Sequence, residues 1–561
     1  MDTPLFACRF ARLIVAVALA ASSFWARISA AQSPLTTSQW REDLRYLARR
    51  LPVIHPNLYH RISPAEFEAS VATLERRIPE LTAPQILVEL ARLTAFVGEV
   101  HTGVMVTRQP REILATLHGY PIRFYAFDDG LFVLAVDSTW AQAAGRRVLR
   151  IGTLPADQAL RRVAEIIPAD NPMWIKRYGP GHLAVAEVLH TLGITPTDSG
   201  VALTLEAPGG DELRITLTPR PLPAILDYLN PLMDPAPRPD VAFAPAASEE
   251  PMWLKDQRSR FWAEYLPGTR SLYLQINAML DKPGESIRSF FDRTLSLADS
   301  LQPDRLIVDI RQNNGGNHLA LPLIHGIIRR PALDQEGKLF VVIGRGTVSA
   351  GQNLATLLDL HTRAVFVGEP TASRPNHYGV VGTFSLPHSR IFVWHARLLV
   401  QDSDPGDYRA WLAPDVSAPL TSYQYFAGRD SALEAILAYQ PLPPLADTLD
   451  AAHRSGGLAS ALSLYRTLAP RYRAAGRSTE ADLNTLGYRL LGRRGLADAV
   501  AVFELNAWEH PGAFNVYDSL GDAYLRAGQR EAGLASYRRS VELNPENEHA
   551  RRVLAAAALE R

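Results

Sequence analysis

One serine of this chain stands where a buried strand, a tight turn and a helix are expected to follow one another. Residues 339–343 are typical of a buried strand, and Gly344 and Gly346 permit the turn that leads to Ser349. A hydroxyl at a helix start is exposed and lies near the positive end of the helix dipole, where it could attack an acyl carbon. The same position also suits a serine that merely caps the helix.

A second polar loop could supply the other groups that acyl transfer needs. Residues 306–310 predict a buried strand that runs into a loop containing Arg311, Asn313 and the pair Gly315-Gly316. Glycines allow backbone amides to approach a ligand oxygen, and a developing oxyanion requires such donors. An ordinary strand-to-helix turn needs one glycine but hardly this whole set of residues.

Taken in order, these motifs resemble those of the tail-specific or C-terminal processing serine peptidases and the related tricorn core. The resemblance covers roughly residues 38–435 and implies a crotonase-like α/β catalytic domain with Ser349 as the nucleophile. The amides implied for the oxyanion hole are those of Gly315, Gly316 and Ala350. The matching stretches are Asp309-x-Arg311-x-Asn313-x-Gly315-Gly316, Arg345-Gly-Thr-x-Ser349-Ala350, Val367-Gly-Glu369-Pro-Thr371, Gly98-x-x-His101-Thr102 and Pro414-Asp415.

The general base depends on which branch of the family the chain resembles. Processing peptidases use a lysine after the serine, whereas tricorn-like members use a histidine near the start of the catalytic region. No lysine follows Lys338, and the corresponding segment ends in Arg374, whose pKa above ~12 prevents it from accepting a proton. The resemblance therefore implies His101 as the base. Its ordinary pKa near ~6.5 predicts activity that rises with pH near neutrality.

The carboxylate that would orient this histidine stays open among three residues. Asp407 lies where tricorn-like enzymes place theirs and is preferred, with Glu369 and Asp404 as alternatives. Tricorn also has a serine just before its histidine, whereas Val100 stands here, so the proton relay must differ. All three acidic residues would equally suit a solvated acidic loop.

Two further residues are candidates for binding substrate. Asn313 belongs to the glycine-containing loop, and His377 lies close in sequence to the catalytic segments, although it suits a structural turn equally well. The pair His55 and His60 lacks a third ligand at a useful spacing, so we expect no metal site and no cofactor.

The pattern along the chain predicts an α/β protein with several parts. Residues 34–100 predict an N-terminal helical domain, and residues 101–220 predict a β-rich region at the place of a PDZ domain. That region is a degenerate match, because a carboxylate-binding Gly-Leu-Gly-Phe loop is missing. Residues 221–251 form a proline-rich linker, and the alternation of strands and helices over residues 252–438 predicts the catalytic domain with parallel strands.

The last part of the chain, residues 445–561, predicts a helical module of tetratricopeptide-like repeats. Two units match in phase, at 483–511 and 517–545, and a degenerate third unit precedes them. Such stacks offer a small concave surface, so we expect a protein partner or self-association there. A cap that covers an apolar face of the catalytic domain is the alternative.

The first 31 residues are typical of a removed signal peptide. Arg9 and Arg12 precede a short apolar run at 13–21, and small residues precede Gln32. The segment predicts export to the periplasm or beyond, without stable membrane insertion after cleavage; an uncleaved anchor is the alternative. Because the only cysteine is Cys8, the mature chain would contain neither disulfides nor a thiol nucleophile.

The overall charge fits a peptide or protein substrate. Lys+Arg and Asp+Glu both number 58 in the 561 residues, so no net charge draws the chain to nucleic acid. The sequence therefore predicts an exported serine peptidase that hydrolyses peptide bonds. The alternatives are an inactive scaffold that binds partners through its repeats, and an esterase or amidase with the same site.

Overall fold

The computed structural model divides the chain into two compact units. Unit 1 comprises residues 1–246 and 372–410, and unit 2 comprises residues 247–371 and 411–561. The segment predicted as one catalytic domain is therefore shared, because residues 372–410 belong to unit 1. The predicted signal peptide lies outside the described residues. Those residues are 34–207, 209–226, 240–244, 250–474 and 477–559.

The described part of unit 1 begins with three amphipathic helices, Thr37–Ile54, Pro64–Arg77 and Ala83–Ala95. Each starts with a capping box, in which a serine or threonine and a glutamine or glutamate three residues later satisfy each other's backbone amides. These local signals explain why the helices begin where they do. The three capping residues are Thr36, Ser63 and Thr82.

An antiparallel sheet follows in unit 1. Helices Ala156–Ala164, Pro172–His182 and Ala186–Thr191 are inserted between its third and fourth strands. The five main strands, in spatial order, are Ile122–Phe127, Gly130–Asp137, Arg147–Ile151, Val201–Glu206 and Glu212–Leu217. Short strands add at Leu154–Pro155 and Val241–Phe243, and a separate pair joins His118–Gly119 to Arg220–Pro221.

A long antiparallel hairpin completes unit 1. Its strands are Asn376–Ser385 and Phe392–Gln401, and we call it the 376–401 hairpin. Gly103 and Trp394 exchange two backbone hydrogen bonds of 3.0 Å, and buried Asp43 accepts two backbone amides from the hairpin turn. These bonds join the hairpin to the N-terminal helices and to the loop after them.

Unit 2 contains a six-stranded sheet with helices, which confirms the predicted α/β class. The first strand pairs antiparallel with the second, and all the other pairs are parallel. The helices between the strands are Ile287–Leu301, Leu321–Ile328 and Ala350–His361. In spatial order the strands are Phe261–Leu266, Ser271–Ile276, Arg305–Asp309, Leu339–Ile343, Val365–Gly368 and Val416–Ser417.

Both faces of this sheet are buried, as parallel strands require. Leu306 and Val308 face one hydrophobic cluster, whereas Ile307, between them, faces another. The second cluster includes Ala432 and Ile436 of helix Ser431–Ala438. Because neighbouring strands are parallel, their carboxyl ends lie at the same edge of the sheet, and the polar loops leave the sheet there.

The C-terminal helices of unit 2 pack on one another in sequence order around a hydrophobic cluster of their own. A β-carbon at Gly487 would meet the ring of Phe503 at 2.5 Å, and one at Gly521 would meet the ring of Tyr537 at 2.9 Å. The two pairs are spaced equally along the chain, so the same close approach recurs. The helices are Leu445–Ala474, broken at Gly456 and Gly457, Glu480–Gly492, Leu496–Glu509, Phe514–Arg526, Arg530–Leu543 and Glu548–Leu559.

Candidate active site

Ser349 stands on a sharp turn between strand Leu339–Ile343 and helix Ala350–His361. Its backbone angles are φ +56° and ψ −125°, a conformation that a non-glycine residue adopts at a cost of ~1–3 kcal/mol. The side chain is half-buried and makes no capping hydrogen bond. Ser349 stands at the cap position of this helix, but its side chain does not cap the helix.

Gly315 explains how the neighbouring loop approaches this serine so closely. Its φ is +118°, and a β-carbon added there would lie 2.8 Å from the Ser349 Cβ. Its N–H donates to Asn313 Oδ1 at 3.0 Å, and its carbonyl accepts from Met279 N. The Gly315 amide is thus already paired, unlike the free oxyanion donor expected from the resemblance.

The two other expected oxyanion donors keep their amides available. Gly316, with φ +135°, lies next to Gly315, and Ala350 is the first residue of the helix that follows Ser349. Within the described part of the chain, neither N–H has a hydrogen-bond acceptor. The β-carbon that Gly316 lacks would lie 2.5 Å from the carbonyl oxygen of Met279, so only glycine fits there.

Asn313 supports the loops from a fully buried position. Besides accepting from Gly315, it donates its own N–H to Ile310 O, and its carbonyl accepts from Val348 N at 3.0 Å. These bonds tie the glycine loop to the turn that carries Ser349. Asn313 therefore supports both loops through its backbone and its Oδ1, and substrate binding by this residue stays a prediction.

A buried ion network anchors the start of the glycine loop. Arg311 lies 2.7 Å from Asp309 and donates to both oxygens of Asp430, at 2.9 and 3.0 Å. The hydroxyl of Tyr273 donates to Asp309. Burial disfavours the charge of Arg311, but the two acids hold its pKa well above the ordinary value. The sequence motif contains Asp309 and Arg311, whereas Asp430 and Tyr273 were not foreseen.

We predict that Asp430→Ala lowers the free energy of unfolding by ~3–5 kcal/mol, because Arg311 then loses a buried partner. The change also removes the caps that Asp430 forms with the amides of Ala432 and Leu433. The matched control is Asp304→Ala at the exposed ion pair with Arg270, which should cost less than ~1 kcal/mol. Urea unfolding measures both, and similar small losses would contradict the network's role.

Glu369, an alternative orienting carboxylate, is paired inside unit 2. Its oxygens accept from the guanidinium of Arg345 at 2.5 and 2.7 Å, and both side chains are largely buried. The two motif residues thus neutralise each other next to the turn that carries Ser349.

His101 lies in unit 1, in the loop after helix Ala83–Ala95. Its ring is 7% exposed and stacks on the ring of His377, with centroids 5.6 Å apart. The next residue, Thr102, accepts the backbone N–H of Ala396 at 2.9 Å, which holds this loop on the 376–401 hairpin. His377 is itself buried, and its Nδ1 lies 3.2 Å from Arg374 O. The structure brings the predicted base and the predicted substrate residue together.

The carboxylate beside His101 is Glu99, which the sequence reasoning did not assign. One oxygen accepts the backbone N–H of His101 at 2.5 Å and lies 3.7 Å from its Nδ1. The other oxygen lies 3.5 Å from Nε2 of buried His55. Glu99 is fully buried between the two imidazoles. An acid two residues before the histidine, within the upstream motif, is the signal that could have identified it.

Burial sets the protonation of this group of side chains. It lowers the pKa of His101 to about 3, with the positive charge of His377 adding to the effect and a backbone hydrogen bond to Tyr378 offsetting part of it. Burial likewise lowers the pKa of His55 to about 4 and raises that of Glu99 to about 7. A pKa near neutrality is therefore found for Glu99, and not for His101 as the sequence suggested; buried Asp170, whose pKa burial and the charge of Glu99 raise to about 7, shares that range.

The two acidic residues proposed downstream have other partners in unit 1. Asp407 accepts from Ser403 at 2.7 Å and from the guanidinium of Arg409 at 2.8 Å, and that guanidinium lowers its pKa to about 2. Asp404 accepts the backbone N–H of Gly406. Asp407 is therefore neutralised by Arg409, and Glu99 takes the place beside the histidine that we expected Asp407 to occupy.

The candidate residues fall into two groups, one in each unit. Unit 2 holds Ser349 with the glycine loop, and unit 1 holds His101 with Glu99 and His377. Among the described residues, no group of His, Cys, Asp or Glu side chains could hold a metal ion. None of the helices described is long and apolar enough to cross a bilayer.

No protein-family model matches the sequence, and no curated protein matches it. Among solved structures, a serine-to-alanine mutant of CPAF aligns with a TM-score of 0.52 at 13% identity, over 72% of this chain and 99% of that one. Mature CPAF complexed with lactacystin aligns with a TM-score of 0.50 at 13% identity, over 71% and 97%. The tricorn protease reaches only 0.29, which is too low to support a shared fold. This chain therefore shares the fold of CPAF over most of its length.

Proposed function

We propose that this protein is a serine peptidase that forms an acyl-enzyme at Ser349. The observation that carries the proposal is the strained, uncapped Ser349 on its turn, with Gly315 packed against it and two unpaired amides beside it. Strain of this kind persists only where the surrounding structure imposes it, and it clusters at functional sites. The motifs that resemble the processing peptidases support the same chemistry.

In the proposed reaction, Ser349 Oγ attacks the carbonyl carbon of the scissile peptide bond and gives its proton to His101. The N–H groups of Gly316 and Ala350 donate to the oxyanion of the tetrahedral intermediate. His101 then protonates the leaving amine, and water attacks the acyl-enzyme by the reverse sequence. Burial keeps His101 neutral, but a pKa of about 3 also makes its imidazole a weak base, so the proposed proton transfer needs the negative charge of an ionised Glu99 beside the ring.

We assign to Glu99 the role of orienting this imidazole, in place of Asp407. Its carboxylate lies 3.7 Å from Nδ1 of His101 without a hydrogen bond, so the orienting contact would shorten when the imidazolium forms. An ionised Glu99 would stabilise the imidazolium that forms during the reaction.

Labelling with a fluorophosphonate tests the proposal without knowledge of the substrate. The wild-type chain should incorporate one label, and peptide mapping should find it on Ser349. Absence of label from a folded sample, or label on another serine, would contradict the assignment. An esterase or amidase would be labelled in the same way, so hydrolysis of a casein or peptide library must follow to establish peptide cleavage.

We predict that Glu99→Gln flattens the pH profile of the reaction. In the wild type, activity should rise as Glu99 ionises with a pKa of about 7, because only the carboxylate stabilises the imidazolium. The variant should be at least ~10²-fold less active at pH 8 and show no such rise. Steady-state rates from pH 5 to 9 measure this. A rise through pH 7 that persists in the variant would contradict the role of Glu99.

The pH dependence of thermal unfolding reports on the ionisation of Glu99 independently of catalysis. The pKa of Glu99 is about 7 in the folded chain and 4.5 ordinarily, so the folded chain keeps a proton that the unfolded chain releases. This side chain's contribution to stability is therefore present below pH 4.5 and is lost as the pH rises through 7. Relative to the wild type, Glu99→Gln should gain thermal stability between pH 5 and pH 8.

The proposal also covers the identity of the two sheets and of the C-terminal helices. We propose a crotonase-like catalytic sheet in unit 2, a degenerate PDZ-like sheet in unit 1, and tetratricopeptide-like repeats at the C-terminus. The recurring contact of Gly487 with Phe503 and of Gly521 with Tyr537 supports the repeats, because it places the same small and aromatic residues on successive helix pairs. Export by the N-terminal leader and a protein partner on the repeats are further proposals from the sequence.

We predict that a chain ending at Tyr439 stays soluble and monodisperse and keeps full activity on a small acyl substrate. The repeats have their own hydrophobic cluster, and the exposed ion pair of Arg477 with Glu336 is among their links to the catalytic sheet. Tyr439 itself packs on Phe340 and is retained. Size-exclusion chromatography and initial rates measure the result. Aggregation or inactivity would show that the repeats belong to the catalytic core.

A further inference from the structure

His55, which has no role in the proposed mechanism, lies against the carboxylate of Glu99. Its ring is fully buried, and its Nε2 lies 3.5 Å from Glu99 Oε1. Within the described residues, neither of these two atoms has a hydrogen-bond partner. Buried polar atoms without a partner are rare, so two of them that face each other at this distance require a physical explanation.

The backbone of Asn57 decides which nitrogen of His55 carries the proton. The Asn57 N–H donates to His55 Nδ1 at 3.1 Å, so this nitrogen is the acceptor. Burial lowers the pKa of His55 to about 4, so the ring is neutral near pH 7 and has a single N–H. That proton is therefore on Nε2, the nitrogen that faces the carboxylate of Glu99.

Neighbouring rings hold His55 in this orientation. The ring of Tyr378 lies 5.1 Å from it, and the ring of His60 is nearly parallel to it, with an interplanar angle of 6°. The carbonyl oxygen of Asn57 lies 3.0 Å from His60 Nδ1, so one residue bonds both imidazoles. The Nε2–H of His55 is therefore a fixed donor, which does not have to be ordered when Glu99 ionises.

The two oxygens of Glu99 have different imidazole neighbours. Oε1 faces His55, whereas Oε2 accepts the backbone N–H of His101 and lies 3.7 Å from its Nδ1. Burial raises the pKa of Glu99, and hydrogen bonds from Thr102 and from the His101 amide lower it. A donor to Oε1 would act in the same direction, because hydrogen bonds to a carboxylate favour its charged form.

We propose that His55 is a positioning residue, which donates its Nε2–H to Glu99 and so holds the ionised carboxylate beside His101. This inference rests on the proposed peptidase function. The contact shortens as Glu99 loses its proton, because charge-assisted hydrogen bonds are shorter than neutral ones. His55 does not touch the substrate and acts only through Glu99.

Other ionisable groups of unit 1 surround this pair. Arg61 favours the charged form of Glu99, whereas Asp170, whose pKa burial and the charge of Glu99 raise to about 7, titrates in the same range. The titration of Glu99 is therefore isolated by comparing each chain with the same chain carrying Glu99→Gln. The groups that face Glu99 are His55, His101, Arg61 and Asp170, and those that face His55 are Glu99, His60, Tyr378 and His395.

The pH dependence of thermal unfolding tests the hydrogen bond without turnover. Between pH 5 and 9, the melting temperature of each chain relative to its Glu99→Gln counterpart should fall as Glu99 ionises, with a midpoint near pH 7 for the wild type. His55→Leu removes the donor and should raise this midpoint by about one pH unit. His55→Gln keeps an N–H at a similar reach and should stay within ~0.5 unit of the wild type. His55→Phe serves if the leucine variant does not fold.

The rate of fluorophosphonate labelling links this bond to the reaction. In His55→Leu the rate should fall ~5-fold at pH 7 and return to within ~2-fold of the wild type at pH 9, because only the ionisation of Glu99 has moved. A structural role alone would lower the rate by the same factor at every pH. The matched control is His182→Leu, because this buried histidine bonds Tyr178 O; both midpoints should stay unchanged.

An unshifted thermal midpoint in His55→Leu, or a labelling rate that falls equally at pH 7 and pH 9, would overturn the inference. A shift of the same size in His55→Gln would also overturn it, because the donor is retained there. A wild type that takes no label would contradict the proposed function and with it the catalytic role of His55. The thermal midpoint reports on the hydrogen bond alone and distinguishes these failures.

Discussion

Ser349→Ala should lower peptide hydrolysis by ~10⁴-fold or more and abolish fluorophosphonate labelling, because the acyl-enzyme can no longer form. Its thermal stability should stay close to that of the wild type, since the Ser349 hydroxyl makes no capping bond. Initial rates on a peptide substrate and differential scanning fluorimetry measure the two effects. Hydrolysis that persists in this variant would remove Ser349 from the mechanism.

Two matched variants separate the nucleophile from an ordinary helix cap. Ser286 caps helix Ile287–Leu301 through the amide of Ser289, so Ser286→Ala should cost ~1 kcal/mol of stability and leave activity unchanged. Ser349→Gly should be inactive yet more stable than the wild type, because glycine adopts φ +56° without strain. Loss of stability in Ser349→Gly would contradict the strained turn.

His101→Ala should lower turnover by at least ~10²-fold, because no other group in the proposal accepts the serine proton. Added imidazole should restore part of the activity by entering the space beside His377. The matched control is His190→Ala, a half-buried histidine of the same unit whose Nδ1 bonds Thr195 O. It should keep full activity. More than ~10% of wild-type turnover in His101→Ala would contradict its role as the base.

Much of the local structure follows from short-range features of the sequence. The capping boxes at Thr36, Ser63 and Thr82 specify helix starts through bonds between residues three apart. The parallel strands can be recognised from short runs of apolar residues. The two repeats can be recognised from residue types that recur at the same spacing in both units. The absence of a lysine after Lys338 is visible in the sequence alone, and it favours a histidine over a lysine as the base.

The carboxylate partner could not be chosen in this way. Asp407 and Glu99 are both plausible acids near candidate segments, and the sequence does not say which one is solvated. Folding buries Glu99 beside His55 and His101, whereas it pairs Asp407 with Arg409. Because burial and a fixed cation move a pKa in opposite directions, the chemistry of these carboxylates is decided by contacts that only the fold creates.

The sequence by itself determined which chemical groups are available: a serine at a strand-to-helix turn, paired glycines, one histidine at a matching motif and no suitable lysine. The tertiary structure decided how they are used. It gave the Gly315 amide a partner in Asn313 and left the Gly316 amide without one among the described residues. It also placed residues 372–410 in unit 1, where they bond to Gly103 and Asp43. The physical reason is that hydrogen bonds and desolvation between distant segments depend on three-dimensional packing, which residue type and spacing do not encode.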